Sequence, residues 1–184
     1  MVRRTTAKVG DVVAVTGTIG DAALGLLRHK DSILDKRWAL SVEQSDYLKV
    51  RYLLPEPRTA LAEAVLRQAS AAMDISDGLV GDLTKLCRAS GVAAEIDVAR
   101  VPLSDAAQSS LTADPTLIET ILTGGDDYEI LLTLEPQRLD VFRAAAQRTD
   151  VEVTEIGRIT SGEGAHFLRD GKPLTFARPS YSHF

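Results

Sequence analysis

The sequence predicts an α/β fold in which helices pack on a mixed β-sheet. Short runs of β-branched and apolar residues alternate with amphipathic stretches through most of the chain, and this alternation is typical of sheets covered by helices. The chain has 184 residues, of which 45% are hydrophobic and 26% are charged. Such a chain can bury a sizeable core. We therefore expect one domain over residues 1–184.

Helices are predicted where apolar residues recur at a spacing of three or four. In chain order these stretches are residues 21–30, 42–53, 58–69, 79–90, 104–111, 115–122 and 136–148. Asp21 is the candidate N-cap of the first helix. The prolines of "PEP" must end the second helix, because proline lacks a backbone N–H and clashes with the preceding turn. Gly91 is expected to end the fourth helix as a left-handed cap.

Strands are predicted where short apolar or alternating runs end at turn residues. In chain order these runs are residues 11–20 with their turn, 71–75, 92–98, 128–134 and 151–159, followed by a hairpin over 166–176. Gly17 and Gly20 punctuate the first turn, and Asp170-Gly171 is typical of a two-residue hairpin turn. Residues 31–41 have a mixed pattern that predicts no element. We expect the helices on one side of the sheet and a partly uncovered, apolar face on the other.

Composition excludes several classes of function. The net charge is −5 and the isoelectric point is about 5.2, and this acidic balance disfavours broad nucleic-acid binding. No apolar run approaches the length of a membrane span, and the first residues lack the apolar core of a signal peptide. We therefore expect a cytoplasmic protein with neither a nucleic-acid nor a membrane partner. The single cysteine, Cys87, lies on the apolar side of a predicted helix and is expected to be a buried small hydrophobe.

The stretch "MDISDGLVGDL", residues 73–83, places acidic groups where a strand leads into a helix. Asp74 and Ser76 share one side of the strand, and Asp77 follows at the turn. Exposed amides at a helix start attract anions such as phosphate, and two carboxylates beside them would repel phosphate unless Mg²⁺ lay between. The alternative is that Ser76 or Asp77 merely caps the helix. The residues alone leave both interpretations open.

A second acidic cluster lies in "TGGDDYEILLT", residues 123–133. Its two glycines allow positive φ and close backbone approach, and Asp126, Asp127 and Glu129 crowd the start of the next strand. The alternative is a helix C-cap followed by solvated acids. A third stretch, "VTGTIGDAALG", is glycine-rich but has no P-loop pattern, although Arg4 upstream could reach a nucleotide phosphate. The sequence has no zinc spacing and no obvious nucleophile for covalent catalysis.

Taken together, these motifs resemble a known family. "KVGDVVAVTGTIGDAALGL", "RYLLPEPR", "AMDISDGLVGDL", "GGDDYEILLT", "IGRI" and the closing "YSHF" occur in this order. They resemble the C-terminal domain of the thiamine-monophosphate kinase family, which belongs to the aminoimidazole ribonucleotide synthetase-like superfamily. The resemblance covers essentially all 184 residues.

The resemblance implies a reaction and a set of site residues. ATP and thiamine monophosphate would give ADP and thiamine diphosphate by direct in-line transfer, with several Mg²⁺ ions bridging the phosphates and no phosphoenzyme. The implied roles are magnesium binding by Asp74 and Asp77, ATP binding by Arg4 and Ser76, and substrate binding by Asp126 and Tyr181. Position 126 is usually glutamate in the family, so this aspartate is one methylene shorter.

The resemblance also implies a missing partner domain. Family members begin with another domain of comparable size, which carries most of the acidic metal ligands and forms the homodimer. We therefore expect this chain to be the C-terminal domain of a longer protein and to have little activity alone. The alternatives are a non-catalytic nucleotide-binding or interaction domain of the same fold, and a relative that acts on another substrate, such as a selenium or purine-pathway enzyme.

Overall fold

The computed structural model describes residues 2–177. Its strands are β1 Val12–Thr16, β2 Ala71–Asp74, β3 Ala93–Asp97, β4 Ile130–Leu134, β5 Val153–Thr160, β6 Gly164–Arg169 and β7 Lys172–Pro173. Its α-helices are α1 Asp21–Lys30, α2 Leu34–Arg37, α3 Val42–Leu53, α4 Ala62–Gln68, α5 Leu79–Ser90, α6 Asp105–Ala113, α7 Leu117–Thr123 and α8 Leu139–Gln147. Short 3₁₀ turns cover Thr59–Leu61, Val98–Arg100 and Pro136–Arg138.

The strands form one mixed sheet of seven strands in the order β2-β4-β1-β5-β3-β6-β7. All neighbouring pairs are antiparallel except β3 and β6, which are parallel. The predicted mixed sheet with packed helices is therefore confirmed. Strand β2 lies at one edge of the sheet, so the "MDISDG" stretch leaves the sheet beside β4, its only neighbour in that order.

One face of the sheet carries the larger core. Val13 and Val15 of β1 point to this face, which packs against α1, α5 and α7. The apolar side of α5 predicted from the sequence is buried, because Leu79, Leu83 and Cys87 have no exposed surface. Burial raises the pKa of the Cys87 thiol to about 11, as expected for a cysteine that packs as a hydrophobe.

The opposite face differs from the expectation in two ways. Helices α4 and α8 cover part of it, where Phe142 packs among apolar side chains of β1 and β4. Both helices carry apolar stripes that require burial, so one-sided packing was a wrong prediction. The uncovered part is not apolar either. Glu95 pairs across the sheet with Arg158 and with His166, and all three side chains are exposed.

Several element boundaries follow from backbone conformation. Strand β4 begins at Ile130 rather than at residue 128, because Tyr128 has a left-handed φ of 53° that a strand cannot contain. Asp170 and Gly171 both have positive φ between β6 and β7, which confirms the predicted hairpin turn. Gly91 ends α5 in the left-handed region, also as predicted. Within residues 2–177, none of the helices is both long and apolar enough to span a membrane.

Candidate functional site

The two acidic clusters predicted from the sequence lie against each other. We call residues 75–78 the ISDG turn and residues 124–127 the GGDD turn. The Asp126 N–H donates to the Ser76 carbonyl at 3.0 Å, and the Tyr128 N–H donates to the Ile75 carbonyl at 3.0 Å. The Ile75 N–H donates to the Glu129 carbonyl at 2.9 Å. These bonds extend the pairing of β2 with β4 and bring the two turns to one place.

Glycines make this close approach possible. A Cβ added at Gly125 would lie 2.2 Å from the Ser76 carbonyl oxygen, and a Cβ at Gly78 would lie 2.5 Å from the Thr123 carbonyl oxygen. Any side chain at either position would push the turns apart. The close approach predicted from "GG" is therefore confirmed. In this motif the positive φ is not at Gly124 or Gly125, however, but at Asp126 and Tyr128.

The ISDG turn does not cap its helix with a side chain. Helix α5 follows Gly78, whose φ is 99°, and it has no side-chain N-cap. The carboxylate of Asp82 instead accepts the N–H groups of Ser76 and Asp77 at 3.0 and 2.8 Å. The alternative that Ser76 or Asp77 serves as a helix cap is therefore wrong. Both side chains are partly exposed and Asp74 is exposed, so these polar groups are accessible to a ligand.

A lysine completes this turn. The Lys85 ammonium donates to the Asp77 carboxylate and, at 2.9 Å, to Asp82. Burial opposes its charge, but the two hydrogen bonds raise the pKa of Lys85 above its usual value. Sequence reasoning missed Lys85 and Asp82. The signal was their helical spacing of three residues in α5, which puts both side chains over its first turn.

The GGDD turn presents its first aspartate in an uncommon conformation. Asp126 has a φ of 71° and is partly exposed. Aspartate enters the left-handed region more readily than most residues, because its short polar side chain crowds the backbone little. This backbone therefore suits the aspartate at position 126.

Asp127 points away from solvent and holds the start of α1. Its carboxylate accepts the Gly20 N–H at 2.7 Å and the Ala22 N–H at 3.2 Å. Asp21, the predicted N-cap, is not the cap. It is the first helical residue, and its buried carboxylate accepts hydroxyl groups of Thr18 and Ser104 instead. Burial raises the pKa of Asp127 to about 8, although the two N–H donors act in the opposite direction.

Glu129 anchors a buried ionic network beneath the turn. The guanidinium of Arg58 donates to it through Nε at 2.8 Å and Nη2 at 2.6 Å, and Arg51 Nη2 donates to it at 3.0 Å. Thr16 adds a hydroxyl donor at 2.7 Å. This network explains why the "RYLLPEPR" segment accompanies the acidic motif, since both of its arginines bind Glu129. The sequence alone did not reveal that pairing.

One predicted site residue lies outside the cluster. Arg4 is exposed, and its carbonyl accepts a hydrogen bond from Ser90 at the last residue of α5. The ISDG turn precedes the first residue of this helix, which is about 18 Å long. The backbone of Arg4 therefore lies at the other end of α5, and its contact with ATP stays a prediction. Tyr181 lies outside the described residues.

In and beside the ISDG turn, two accessible carboxylates could hold a metal ion. Asp74 and Asp77 stand on either side of Ser76, whereas Asp82 is fully buried and bound to backbone N–H groups. Within residues 2–177, no group of three or more His, Cys, Asp or Glu residues could hold a metal ion. Two carboxylates fit Mg²⁺ when phosphate oxygens and water supply its other ligands. They do not make a site of protein ligands alone.

The chain is similar to proteins of known name. It is 39% identical over 180 residues to the thiamine-monophosphate kinase of Caulobacter vibrioides, covering 96% of this chain and 49% of the relative. It is 39% identical over 184 residues to the thiamine-monophosphate kinase of Salmonella typhimurium, covering 99% of this chain and 55% of the relative. The chain thus spans about half the length of the curated relatives it matches.

Solved structures agree with these relatives. The crystal structure of thiamine-monophosphate kinase from Stenotrophomonas maltophilia K279a has a TM-score of 0.82 at 35% identity, over 94% of this chain and 54% of that one. AaThiL complexed with AMPPCP and TMP has a TM-score of 0.78 at 34% identity, over 100% of this chain and 54% of that one. Residues 8–168 match the family described as AIR synthase related protein, C-terminal domain. The chain belongs to this family.

Proposed function

We propose that this chain is the C-terminal domain of a kinase that transfers the γ-phosphoryl group of ATP to thiamine monophosphate, yielding thiamine diphosphate and ADP. The observation that carries the proposal is the direct hydrogen bonding of the ISDG turn to the GGDD turn. This contact supports a single binding site in which the phosphates of the nucleotide and the phosphate of the acceptor lie next to each other. Relatives named thiamine-monophosphate kinase, at up to 39% identity, support the acceptor.

The ISDG turn would form the nucleotide side of the site. The free N–H groups at the start of α5, which has twelve residues and no side-chain cap, suit an anionic phosphate. The Ser76 hydroxyl lies next to them and would donate to a phosphate oxygen, and Arg4 would contribute a guanidinium. Asp74 and Asp77 would hold Mg²⁺. When bound, that ion offsets negative charge on the phosphates during transfer.

The GGDD turn would form the acceptor side. Asp126 would bind the thiamine moiety, and Tyr181 would lie against it. The complex of AaThiL with AMPPCP and TMP supports this assignment, because that relative binds both ligands. The bond between Asp126 N and Ser76 O would keep the two sides in a constant relation.

The chemistry of this chain would be positioning rather than covalent catalysis. Cys87 is fully buried with a raised pKa, so it supplies no thiolate nucleophile. Phosphoryl transfer requires little covalent chemistry from the protein. Alignment of the attacking and leaving oxygens supplies much of the rate enhancement. The acceptor phosphate oxygen would attack the γ-phosphorus directly. The Ser76 hydroxyl and the α5 N–H groups would orient the phosphates.

We further propose that the site is completed by a second domain. Asp74 and Asp77 are only two carboxylates, and within residues 2–177 no third His, Cys, Asp or Glu residue joins them in a group that could hold a metal ion. Two carboxylates are too few for several metal ions, and the relatives are about twice as long. A preceding domain would supply the remaining acidic ligands and form a homodimer in the cytoplasm. The 184-residue chain alone would then have little or no activity.

The test is an acceptor panel with the full-length polypeptide. Purified protein is incubated with ATP and Mg²⁺ and with thiamine monophosphate, with thiamine, or with the selenium and purine-pathway acceptors of related enzymes. Chromatography of the products should show thiamine diphosphate when thiamine monophosphate is the acceptor, and no phosphorylated product with any other acceptor. Turnover of another acceptor would identify a different enzyme. ATP binding without turnover of any acceptor would favour a non-catalytic domain.

A further inference from the structure

The side chain next to the proposed substrate-binding residue is anchored where no ligand can reach it. Asp127 is 1% exposed, and its carboxylate binds the N–H groups of Gly20 and Ala22 at the start of the ten-residue helix α1. Its carbonyl oxygen accepts Arg51 Nη2 at 3.2 Å. The carboxylate and the carbonyl oxygen of Asp127 are therefore fixed to parts of the chain that are 107 and 76 residues away in sequence.

The residues on both sides of Asp127 have strained backbones. Asp126 has a φ of 71° and Tyr128 a φ of 53°. Non-glycine residues keep such conformations when the surrounding structure holds them there. Here the N–H of each strained residue bonds to the ISDG turn, and the carboxylate between them bonds to α1. The conformation of Asp126 thus depends on three contacts, which are the bonds of the Asp126 and Tyr128 N–H groups to the ISDG turn and the bond of the Asp127 carboxylate to α1. Of these three contacts, only the one from Asp127 is made by a side chain of the GGDD turn.

We propose that Asp127 is a positioning residue that fixes the direction of the Asp126 side chain through its bonds to the N-terminus of α1. This inference rests on the proposed function, in which Asp126 binds the thiamine moiety. An aspartate side chain is short, so the direction of the Asp126 carboxylate decides whether it reaches the substrate. A small rotation at 126 would move it out of contact.

A second buried carboxylate provides a matched control. Asp11 is 3% exposed, and its carboxylate accepts the Lys8 N–H at 3.0 Å. Neither Asp11 nor Lys8 belongs to the GGDD turn or to α1. Asp11→Asn therefore reports the general effect of changing a buried carboxylate that binds a backbone N–H, without releasing the turn.

The experiment measures turn order and ligand binding separately in the full-length polypeptide. Amide hydrogen exchange is followed at Asp126 and Tyr128, with the β4 amide of Leu132 as a reference for global opening. The equilibrium affinity for thiamine monophosphate, and for an ATP analogue, is measured by calorimetry. The variants are Asp127→Ala, Asp127→Asn and Asp11→Asn. Asp127→Asn retains one acceptor oxygen and is the variant to use if alanine prevents folding.

In Asp127→Ala we expect exchange at 126 and 128 to rise about tenfold or more relative to Leu132, because local opening becomes easier. Affinity for thiamine monophosphate should fall about tenfold or more, whereas affinity for the ATP analogue should change less than about threefold. Asp127→Asn should be intermediate. Asp11→Asn should leave both the relative exchange and the ratio of the two affinities unchanged.

Three results would overturn the inference. The first is unchanged relative exchange in both Asp127 variants. The second is faster exchange with unaltered affinity for thiamine monophosphate. The third is an equal loss of affinity for thiamine monophosphate and for the ATP analogue. Failure of the wild-type protein to bind thiamine monophosphate would instead refute the proposed function, and it would overturn the substrate role assigned to Asp127 with it. The exchange data would still decide whether Asp127 holds the turn.

Discussion

Three buried or partly buried carboxylates define the site at the scale of single residues. Asp82 binds the N–H groups of the ISDG turn, and Asp127 binds those at the start of α1. Glu129 binds two arginines. Each of these acids satisfies donors that would otherwise be unpaired in the interior, where an unsatisfied polar group is costly. Asp74, Asp77 and Asp126 are more exposed and remain accessible to ligands.

Asp74→Asn and Asp77→Asn should each preserve folding and reduce turnover of the full-length polypeptide by a factor on the order of a hundred or more. A neutral amide is a poor ligand for Mg²⁺, so charge on the phosphates would be offset less well. Initial rates of thiamine diphosphate formation at limiting and raised Mg²⁺ measure the effect, and raised Mg²⁺ should restore part of it.

The control for these variants is Asp31→Asn. Asp31 is also exposed and accepts a backbone hydrogen bond from Ile33, far from the turns in sequence. Its loss of charge should leave turnover unchanged. Wild-type rates in both Asp74→Asn and Asp77→Asn at limiting Mg²⁺ would refute the metal role.

Asp127 should make stability depend on pH. Its folded-state pKa is raised to about 8 from a value near 3.8, so the folded protein binds the proton more tightly than the unfolded chain. The free energy of unfolding should therefore fall as pH rises from about 4 to about 8, and it should level off above. Asp127→Asn removes this titration. Its free energy of unfolding, relative to wild type, should be higher at about pH 8.5 than at about pH 6.

Urea denaturation of both proteins at the two pH values measures this difference. Asp11→Asn serves as the comparison for a buried carboxylate that also accepts a backbone N–H. A difference between Asp127→Asn and wild type that does not change with pH would mean that Asp127 titrates near its ordinary value.

At the scale of elements, the two turns meet because glycine removes side chains at their contact. Gly125→Ala would place a Cβ 2.2 Å from the Ser76 carbonyl oxygen. We expect the full-length polypeptide to lose about 1–3 kcal/mol of stability, as for other overpacked sites. Its KM for thiamine monophosphate should also rise, since Asp126 would move away from Ser76. Urea denaturation and steady-state kinetics measure the two effects.

Gly91→Ala is the control for this substitution. A Cβ at Gly91 would meet nothing within 4 Å, although its left-handed backbone makes alanine unfavourable by about 1–2 kcal/mol. It should lower stability without changing KM. An unaltered KM in Gly125→Ala would show that the close contact of the turns is not needed for substrate binding.

The helices on the second face of the sheet give a test of the fold. Phe142 of α8 is fully buried, and its neighbour Val141 is 55% exposed. Phe142→Ala should lower the free energy of unfolding by about 3–5 kcal/mol, because it leaves a cavity between α8 and the sheet. Val141→Ala should change it by less than about 0.5 kcal/mol. Equal effects in urea denaturation would mean that α8 does not pack on the sheet as described.

Local patterns explain what could be predicted at this scale. The spacing of Leu79, Leu83 and Cys87 predicted the buried side of α5, because helical periodicity is a local property. The cap of α1 could not be predicted from its own residues, since Asp127 supplies it from more than a hundred positions away. The one-sided packing of helices was predicted wrongly for a similar reason. Which face a helix covers depends on the path of the connecting chain.

At the scale of the whole molecule, the sheet order joins distant motifs. Strand β4 lies between β1 and β2, so the turns after β1 and β2 both flank the start of β4. The sequence predicted four site residues of this region that are accessible, namely Asp74, Ser76, Asp77 and Asp126. It missed Lys85, Arg51 and Arg58, because their roles depend on pairings that only the tertiary structure brings about. Motif order identified the family, whereas physical pattern alone left the helix-cap alternative open.

The central claim is that this chain holds one half of a phosphoryl-transfer site. The direct measurement compares thiamine diphosphate formation, with ATP and Mg²⁺, by the full-length polypeptide and by residues 1–184 alone, after circular dichroism has shown that the shorter chain is folded. We expect turnover by the full-length polypeptide and little or none by the shorter chain. Turnover by residues 1–184 at about 1 per second or more, a rate ordinary for a kinase, would contradict it.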